Sequence, residues 1–574
     1  MHVSARRNVL SVLLLSCWLV STGCTSQTSA PTQQQGSSPA QSSNIDLAAV
    51  SSRLHEIAAS GNLSDLHWPN FTDYRLHFQH IYEASNFAPV WLSNGKPTPQ
   101  ALGVIQALEA SKQKGLNPDD YDASRWPDRL HGIDGSPTPD TLARFDAALT
   151  VGAMRYISDL HIGRVNPKHF NFGIDIEANK YDLPHFVTSK VVNATNVQSV
   201  LDGVEPPYNG YKATETMLQR YLQLAAQGDG PPVADVTKTV VPGDAYPGIP
   251  QLTQRLRLFG DLHADTVVDA NASTYSGSLV DGVKTFQSRH GLAVTGKIDK
   301  DTVRQLNTPL ATRVSQLQDA LERWRWLPPQ FPQPPVVANI PEFIVRAYGP
   351  NQKVEFASNV VVGKALRTQT PIFAKDMRYI VFRPYWNVPT GIVRGEIIPG
   401  IVRDRNYISK KNFEVTTFDG KVITDGVISD DVLAQLRAGK LTVRQKPGPT
   451  NSLGLIKLMF PNEYNVYLHS TPAQQLFSQS RRDFSHGCVR VEKPAELAAY
   501  LLRNQPPWTL EKVKAAMQSG PDNQQVNLTT PVPVLILYVT AVVEEDGSVH
   551  FFDDIYGYDK TLEAVLAKGQ PYPG

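Results

Sequence analysis

Ser485-His486-Gly487-Cys488-Val489-Arg490, preceded across fifteen residues by His469, is the stretch on which the reading of this chain turns. The sequence holds three cysteines. Cys17 lies inside an apolar N-terminal run, and Cys24 ends that run behind Ser21-Thr22-Gly23. If the run is an export signal, Cys17 is discarded and Cys24 is either a lipid attachment point or lost with it. Cys488 is then a lone thiol, which in an oxidising compartment is a liability unless its reactivity is used. A single cysteine is most often a small buried hydrophobe, but these neighbours argue for chemistry. Gly487 opens backbone conformations closed to other residues. His486 and His469 are both candidates to draw off the thiol proton, and Arg490 adds positive charge that favours the nucleophilic thiolate. A zinc site is disfavoured, because there is no CxxC or HExxH spacing. No metal or cofactor is expected.

The flanks extend the pattern in both directions. Upstream lie Tyr385-Trp386-Asn387-Val388-Pro389, then Arg444-Gln445-Lys446-Pro447-Gly448-Pro449-Thr450-Asn451 and Leu453-Gly454-Leu455-Ile456-Lys457. Phe460-Pro461-Asn462 and Tyr467-Leu468-His469-Ser470-Thr471-Pro472 follow. This string of blocks, in this order, resembles the L,D-transpeptidase family with its YkuD-type catalytic domain, and within it the large YcbB-like subgroup.

The resemblance implies acyl transfer on peptidoglycan stem peptides. Cys488 would attack the carbonyl of a diaminoacid bonded to a terminal D-alanine, expel D-alanine and hold the acyl group as a thioester. The side-chain amine of a neighbouring stem would resolve it into a 3→3 cross-link. The same resemblance gives His469 as the base, oriented through the carbonyl of Ser470, and the amides of Gly487 and Cys488 as oxyanion donors. Each such donor contributes about 2.7–4 kcal/mol where oxyanion holes have been dissected. Arg490 would position a substrate carboxylate or brace the loop. His486 and Ser485 would line the donor pocket, and Trp386 and Tyr467 would wall it or simply pack. A carbapenem, which presents a strained carbonyl to the same thiol, would acylate Cys488. Two other readings stay open: a carboxypeptidase in which water resolves the thioester, and a non-catalytic wall-binding protein.

At 574 residues the chain is too long for one core. The expected fold is multidomain α+β. Residues 1–24 read as a signal peptide, with Arg6-Arg7 before an apolar core too short for a confident membrane span. Gly23-Cys24 resembles a lipobox. Residues 25–44 are an uncharged Ser/Thr/Gln/Pro tether with a reach of about 25 Å. Apolar residues at three- and four-residue spacing make 45–227 helical, and this segment resembles the subgroup's scaffold domain. Residues 248–308 resemble a three-helix peptidoglycan-binding module, although its signature positions read mainly as core and caps. Short β-branched runs place the catalytic domain at 335–507, with a polar insertion at 395–446 capping the site. The final 508–574 read as an extension carrying one strand pair.

A formal charge of +1 gives no basic excess for nucleic acid. The expected partners are peptidoglycan stem peptides and glycan, with membrane attachment through a lipid on Cys24. Location in the bacterial cell envelope or periplasm follows from the signal. The sequence leaves the oligomeric state open.

Overall fold

The computed structural model describes residues 45–269, 271–365 and 368–569. The expected signal with Cys17 and Cys24, and the tether, lie outside the described residues. Among the described residues no helix is long and apolar enough to cross a membrane. The architecture is multidomain α+β: a helical N-terminal region, a small helical module and a β-rich C-terminal region.

The first region is built around helix α1 (Pro139–Ile162). Proline opens its first turn, and the Thr138 side chain accepts the Thr141 amide as N-cap. Runs of alanine and glycine let neighbours approach it on most faces, and it is buried along nearly its whole length. Asp146 is fully buried yet satisfied, accepting from the amides of Val90 and Trp91 and from the Tyr82 hydroxyl.

The module is three helices, α2 (Ile249–Phe259), α3 (Ser278–Arg289) and α4 (Lys300–Leu306). Its recognisable positions are structural. Leu252, Leu256, Val283 and Phe286 are core; Gln287 binds the amides of Thr295 and Gly296; Asp299 caps α4. Helix α5 (Leu310–Arg325) follows. Its Glu322 accepts the amides of Arg164 and Val165, which ties α5 to the end of α1.

The C-terminal region is a nine-stranded sheet whose strands occur in the chain as β1 (Val336–Asn339), β2 (Ile344–Tyr348), β3 (Val354–Gly363), β4 (Phe373–Phe382), and onward. A smaller sheet is formed by β5 (Trp386–Asn387), β6 (Phe413–Thr416), β7 (Val422–Thr424) and β8 (Thr442–Gln445), in the order β5-β8-β6-β7. The large sheet resumes with β9 (Ile456–Met459), β10 (Leu468–His469), β11 (Asp483–Ser485), β12 (Val489–Val491) and β13 (Gln524–Leu537). Its order is β11-β3-β12-β10-β9-β4-β13-β1-β2, and β2 also pairs with β3, so the sheet closes on itself. Closure leaves few free edges. The interior is packed with aliphatic side chains such as Val360, Ile380, Leu458, Leu468 and Val489, all fully buried; truncating any one of these leucines to alanine should cost about 2–5 kcal/mol.

Two expected boundaries move. The capping unit has its own core, including Ile401, Val415, Leu436 and Val443, but it begins before 395, because Trp386 and Asn387 pair with Gln445 and Arg444. The segment 508–574 is not peripheral. Its strand β13 lies between β4 and β1 inside the large sheet. The expected strand from Val532 to Val543 thus begins earlier, ends at Leu537 and pairs within the large sheet; a register shift between Asn527 and Val532 accommodates the segment that holds Pro531. A hairpin of Ala541–Val543 and Val549–Phe551 then packs on the helical module, where Arg289 donates to the Val549 carbonyl.

Candidate functional site

The motif lies where two short strands run side by side. β10 and β12 pair in parallel, Leu468 opposite Val489 and His469 opposite Arg490, while β9 pairs with β10 on its other flank, Lys457 opposite His469. Three polar side chains thereby share one region of the sheet, one from each strand. β10 begins only at Leu468. Asn462 folds the approach into a turn, accepting the amides of Tyr464 and Val466 and donating to the Val466 carbonyl, and Asn465 takes a positive φ of 54°.

Cys488 is half-buried and is the free cysteine among the described residues. The turn that carries it is held by its own side chains. The Ser485 hydroxyl donates to the Cys488 carbonyl at 2.6 Å and accepts the Gly487 amide at 3.1 Å. Gly487 has φ +115°, a conformation that side-chain-bearing residues rarely adopt. A methyl group would find room there, at 3.8 Å from the nearest atom, so the constraint is the backbone and not space. The Thr370 hydroxyl closes the turn from behind, donating to the Gly487 carbonyl at 2.8 Å. Of the two amides expected to receive an oxyanion, that of Gly487 is thus committed to Ser485. The Cys488 amide makes no hydrogen bond among the described residues.

His469 is 4 % exposed and its Nδ1 lies 2.5 Å from the Ser470 carbonyl oxygen. The Ser470 position depends on Gly454, because a Cβ at that residue, itself at φ +64°, would come within 2.5 Å of the Ser470 hydroxyl. Donation from Nδ1 fixes the tautomer with a lone pair on Nε2. Burial, reinforced by the charge of Arg490, pushes the imidazole down to about 3, so the ring is neutral and able to accept a proton. Burial also raises the Cys488 thiol above its ordinary value, against the opposing pull of Tyr467, Lys457 and Arg490. The resting pair is therefore thiol and imidazole, not an ion pair. The thiol makes no hydrogen bond to His469; Sγ donates to the Asn465 carbonyl at 3.7 Å and contacts the Tyr467 side chain.

The remaining expected residues divide between two sides. Tyr467 stands edge-on to His469, ring centroids 5.7 Å apart, and its hydroxyl meets both Cys488 and Trp386. Trp386 is half-buried and also faces Phe413 of the cap. Among the described residues Arg490 has no carboxylate partner, and its buried Nε is unsatisfied. His486 turns the other way, its Nε2 2.9 Å from Glu396 of the capping unit.

Comparison with known proteins bears on this arrangement. Residues 334–534 match the family model described as the L,D-transpeptidase catalytic domain, residues 77–218 match "Scaffold domain", and residues 246–306 match "Putative peptidoglycan binding domain". The part of the chain that bears Cys488 and His469 is thus similar to an L,D-transpeptidase catalytic domain. A Haemophilus influenzae protein named "Putative L,D-transpeptidase" is 31% identical over 227 residues, which cover 40% of this chain and 45% of that relative. The chain thus spans under half the length of that curated relative. A crystal structure of an L,D-transpeptidase from Xylanimonas cellulosilytica is similar at 16% identity over 54% of this chain and 100% of that one, with a TM-score of 0.16 that carries no weight for the fold.

Within residues 334–534, four residues had no role assigned from sequence. Asn465 offers its carbonyl to the thiol, Thr370 buttresses Gly487, Glu396 meets His486, and Lys457 lies over the Tyr467 ring at 4.6 Å. Asn462 and Asn465 in one short stretch are a turn signal that could have been read. Thr370 and Glu396 are 117 and 90 residues from their partners, and no local pattern announces them.

Proposed function

We propose that the protein is a peptidoglycan L,D-transpeptidase that forms 3→3 cross-links through a thioester on Cys488. The observation that carries this reading is a half-buried, unpaired thiol on a glycine-conditioned turn beside a neutral histidine whose Nδ1 is held by a backbone carbonyl. Catalysis starts when the thiol leaves the Asn465 carbonyl and gives its proton to Nε2 of His469. Sulfur attacks the carbonyl carbon of the third stem residue, and the Cys488 amide, free to donate, receives the oxyanion. The carbon–nitrogen bond to D-alanine breaks, and the His469 proton goes to the departing amine. An acceptor amine then attacks the thioester and loses a proton to His469, which returns it to the sulfur as the carbon–sulfur bond breaks.

Arg490, charged and unpaired, holds a substrate carboxylate in this scheme. Tyr467 and Trp386 wall the pocket, and His486 with Ser485 line the donor side. The module at 246–306 would keep the domain against its polymer. An envelope location follows from that substrate, with Cys24 as lipid attachment point. The test is incubation of the protein with disaccharide-tetrapeptide and analysis of products by mass spectrometry. Dimers plus free D-alanine are expected. Tripeptide and D-alanine alone would make it a carboxypeptidase, and no product from folded protein would leave only wall binding.

A further inference from the structure

Lys457 is a charge without a counter-charge. It stands on β9 opposite His469, half-buried, with its stem over the sheet and its Nζ 4.6 Å from the centre of the Tyr467 ring. Among the described residues no carboxylate pairs with it; burial pushes its ammonium below its ordinary value, and a thiolate at Cys488, once formed, opposes that shift. Burying an ammonium with no anion costs free energy, and a methionine would fill the same groove without that cost. The ring it covers is the one whose hydroxyl meets Cys488, so ammonium and sulfur both border Tyr467, one at its face and the other at its hydroxyl. A cation over a tyrosine face is held in place by the ring's own electrostatics.

We propose that Lys457 is the positioning residue that sets the reactivity of Cys488, its ammonium supplying, across the Tyr467 ring, the field in which the sulfur becomes a thiolate. The inference rests on the acyl-enzyme reading above and assigns the cation on which that reading depends. The groups facing the sulfur are Lys457 from β9, Tyr467 from the turn before β10 and Arg490 from β12, with the Asn465 carbonyl as the resting acceptor. His469 on β10 lies beside Arg490. His486, on the turn that carries Cys488, is already engaged by Glu396 of the cap. Arg490 also acts on His469 across the parallel pair, where its charge disfavours the imidazolium. Lys457 adds to that effect on His469, while its Nζ stands over the Tyr467 ring.

The test is the pH dependence of Cys488 alkylation by iodoacetamide, followed by intact mass on the full chain, with Cys488→Ala as blank. Lys457→Met and Lys457→Gln are expected to raise the midpoint by about one pH unit, slowing alkylation about tenfold at neutral pH. Lys457→Arg, which keeps the charge, should stay close to wild type. Circular dichroism checks folding, and should the methionine variant not fold, the glutamine and arginine pair decides. Unshifted midpoints would overturn the inference, as would unshifted midpoints accompanied by a raised KM for tetrapeptide, which would make Lys457 a carboxylate binder. Alkylation needs no peptide substrate. A shifted midpoint in a protein that makes no dimers keeps the assignment and sinks the transpeptidase reading; dimers with no shift do the reverse.

Discussion

The two histidines beside Cys488 face different surroundings. His469 is seated in the closed sheet, buried, neutral and tied to Ser470. His486 points outward to an exposed carboxylate of the capping unit. One ring has its tautomer fixed by backbone, as a proton acceptor requires; the other is held by a solvent-exposed contact that substrate entry can break. Proximity in sequence would have favoured His486, two residues from the thiol. Burial and hydrogen bonding favour the more distant ring as a proton acceptor, and the comparison teaches that surroundings, not closeness in sequence, separate the two rings.

The largest effect should come from Cys488→Ala. A carbapenem is expected to add one drug mass to the intact protein, and this substitution should abolish the adduct; labelling that survives it would place the nucleophile elsewhere. His469→Ala should follow, slowing acylation by about 10²–10⁴-fold at neutral pH, with partial recovery at high pH where the thiolate forms unaided. His486→Ala should cost less than about tenfold. Stopped-flow acylation ranks the two, and the reverse order breaks the division drawn here.

A pH profile sharpens the same comparison. His469 is pushed down to about 3, so between that value and its ordinary 6.5 the folded protein keeps it neutral. Acylation should therefore rise with pH along the elevated thiol ionisation and show no inflection near 6.5. For stability the sign is fixed by the depressed value. The unfolded chain binds the proton first, so the contribution of a neutral His469 is complete above 6.5 and is lost as pH falls from 6.5 towards 3. Denaturant titration of wild type against His469→Gln should show the gap closing over that range.

The smallest effect belongs to the cap. Glu396→Gln removes an exposed pair with His486, and thermal melting should change by under about 0.5 kcal/mol. A KM change without a kcat change would fit a contact that yields to substrate.

How legible this was in the sequence depends on distance along the chain. Cys488, His469 and the Ser470 carbonyl lie within twenty residues, and the turn chemistry of Gly487 is local, so their grouping could be read directly. The cap was visible as a polar insertion, but its first strand was not, because Trp386 and Asn387 pair with partners near 445. Ser485 was expected at the donor pocket, and its hydroxyl instead bridges the Gly487 amide and the Cys488 carbonyl. The resting acceptor of the thiol is a backbone carbonyl, to which residue identity gives no clue. The tail misled most, since the partners of β13 lie far upstream, in β4 and β1.

That tail has a consequence for the order in which the protein comes into being. Synthesis runs from the first residue to the last, and domains generally fold as units along the way. The α1 core is complete within about the first third of the chain. The thiol-bearing sheet cannot close until residues 524–537 have slotted between β4 and β1, and Tyr556 has reached back to the Gly363 carbonyl and the Thr370 amide behind the Cys488 turn. A growing chain thus carries the Cys488 thiol on an unfinished scaffold until residues well beyond it, as far as Tyr556, have emerged.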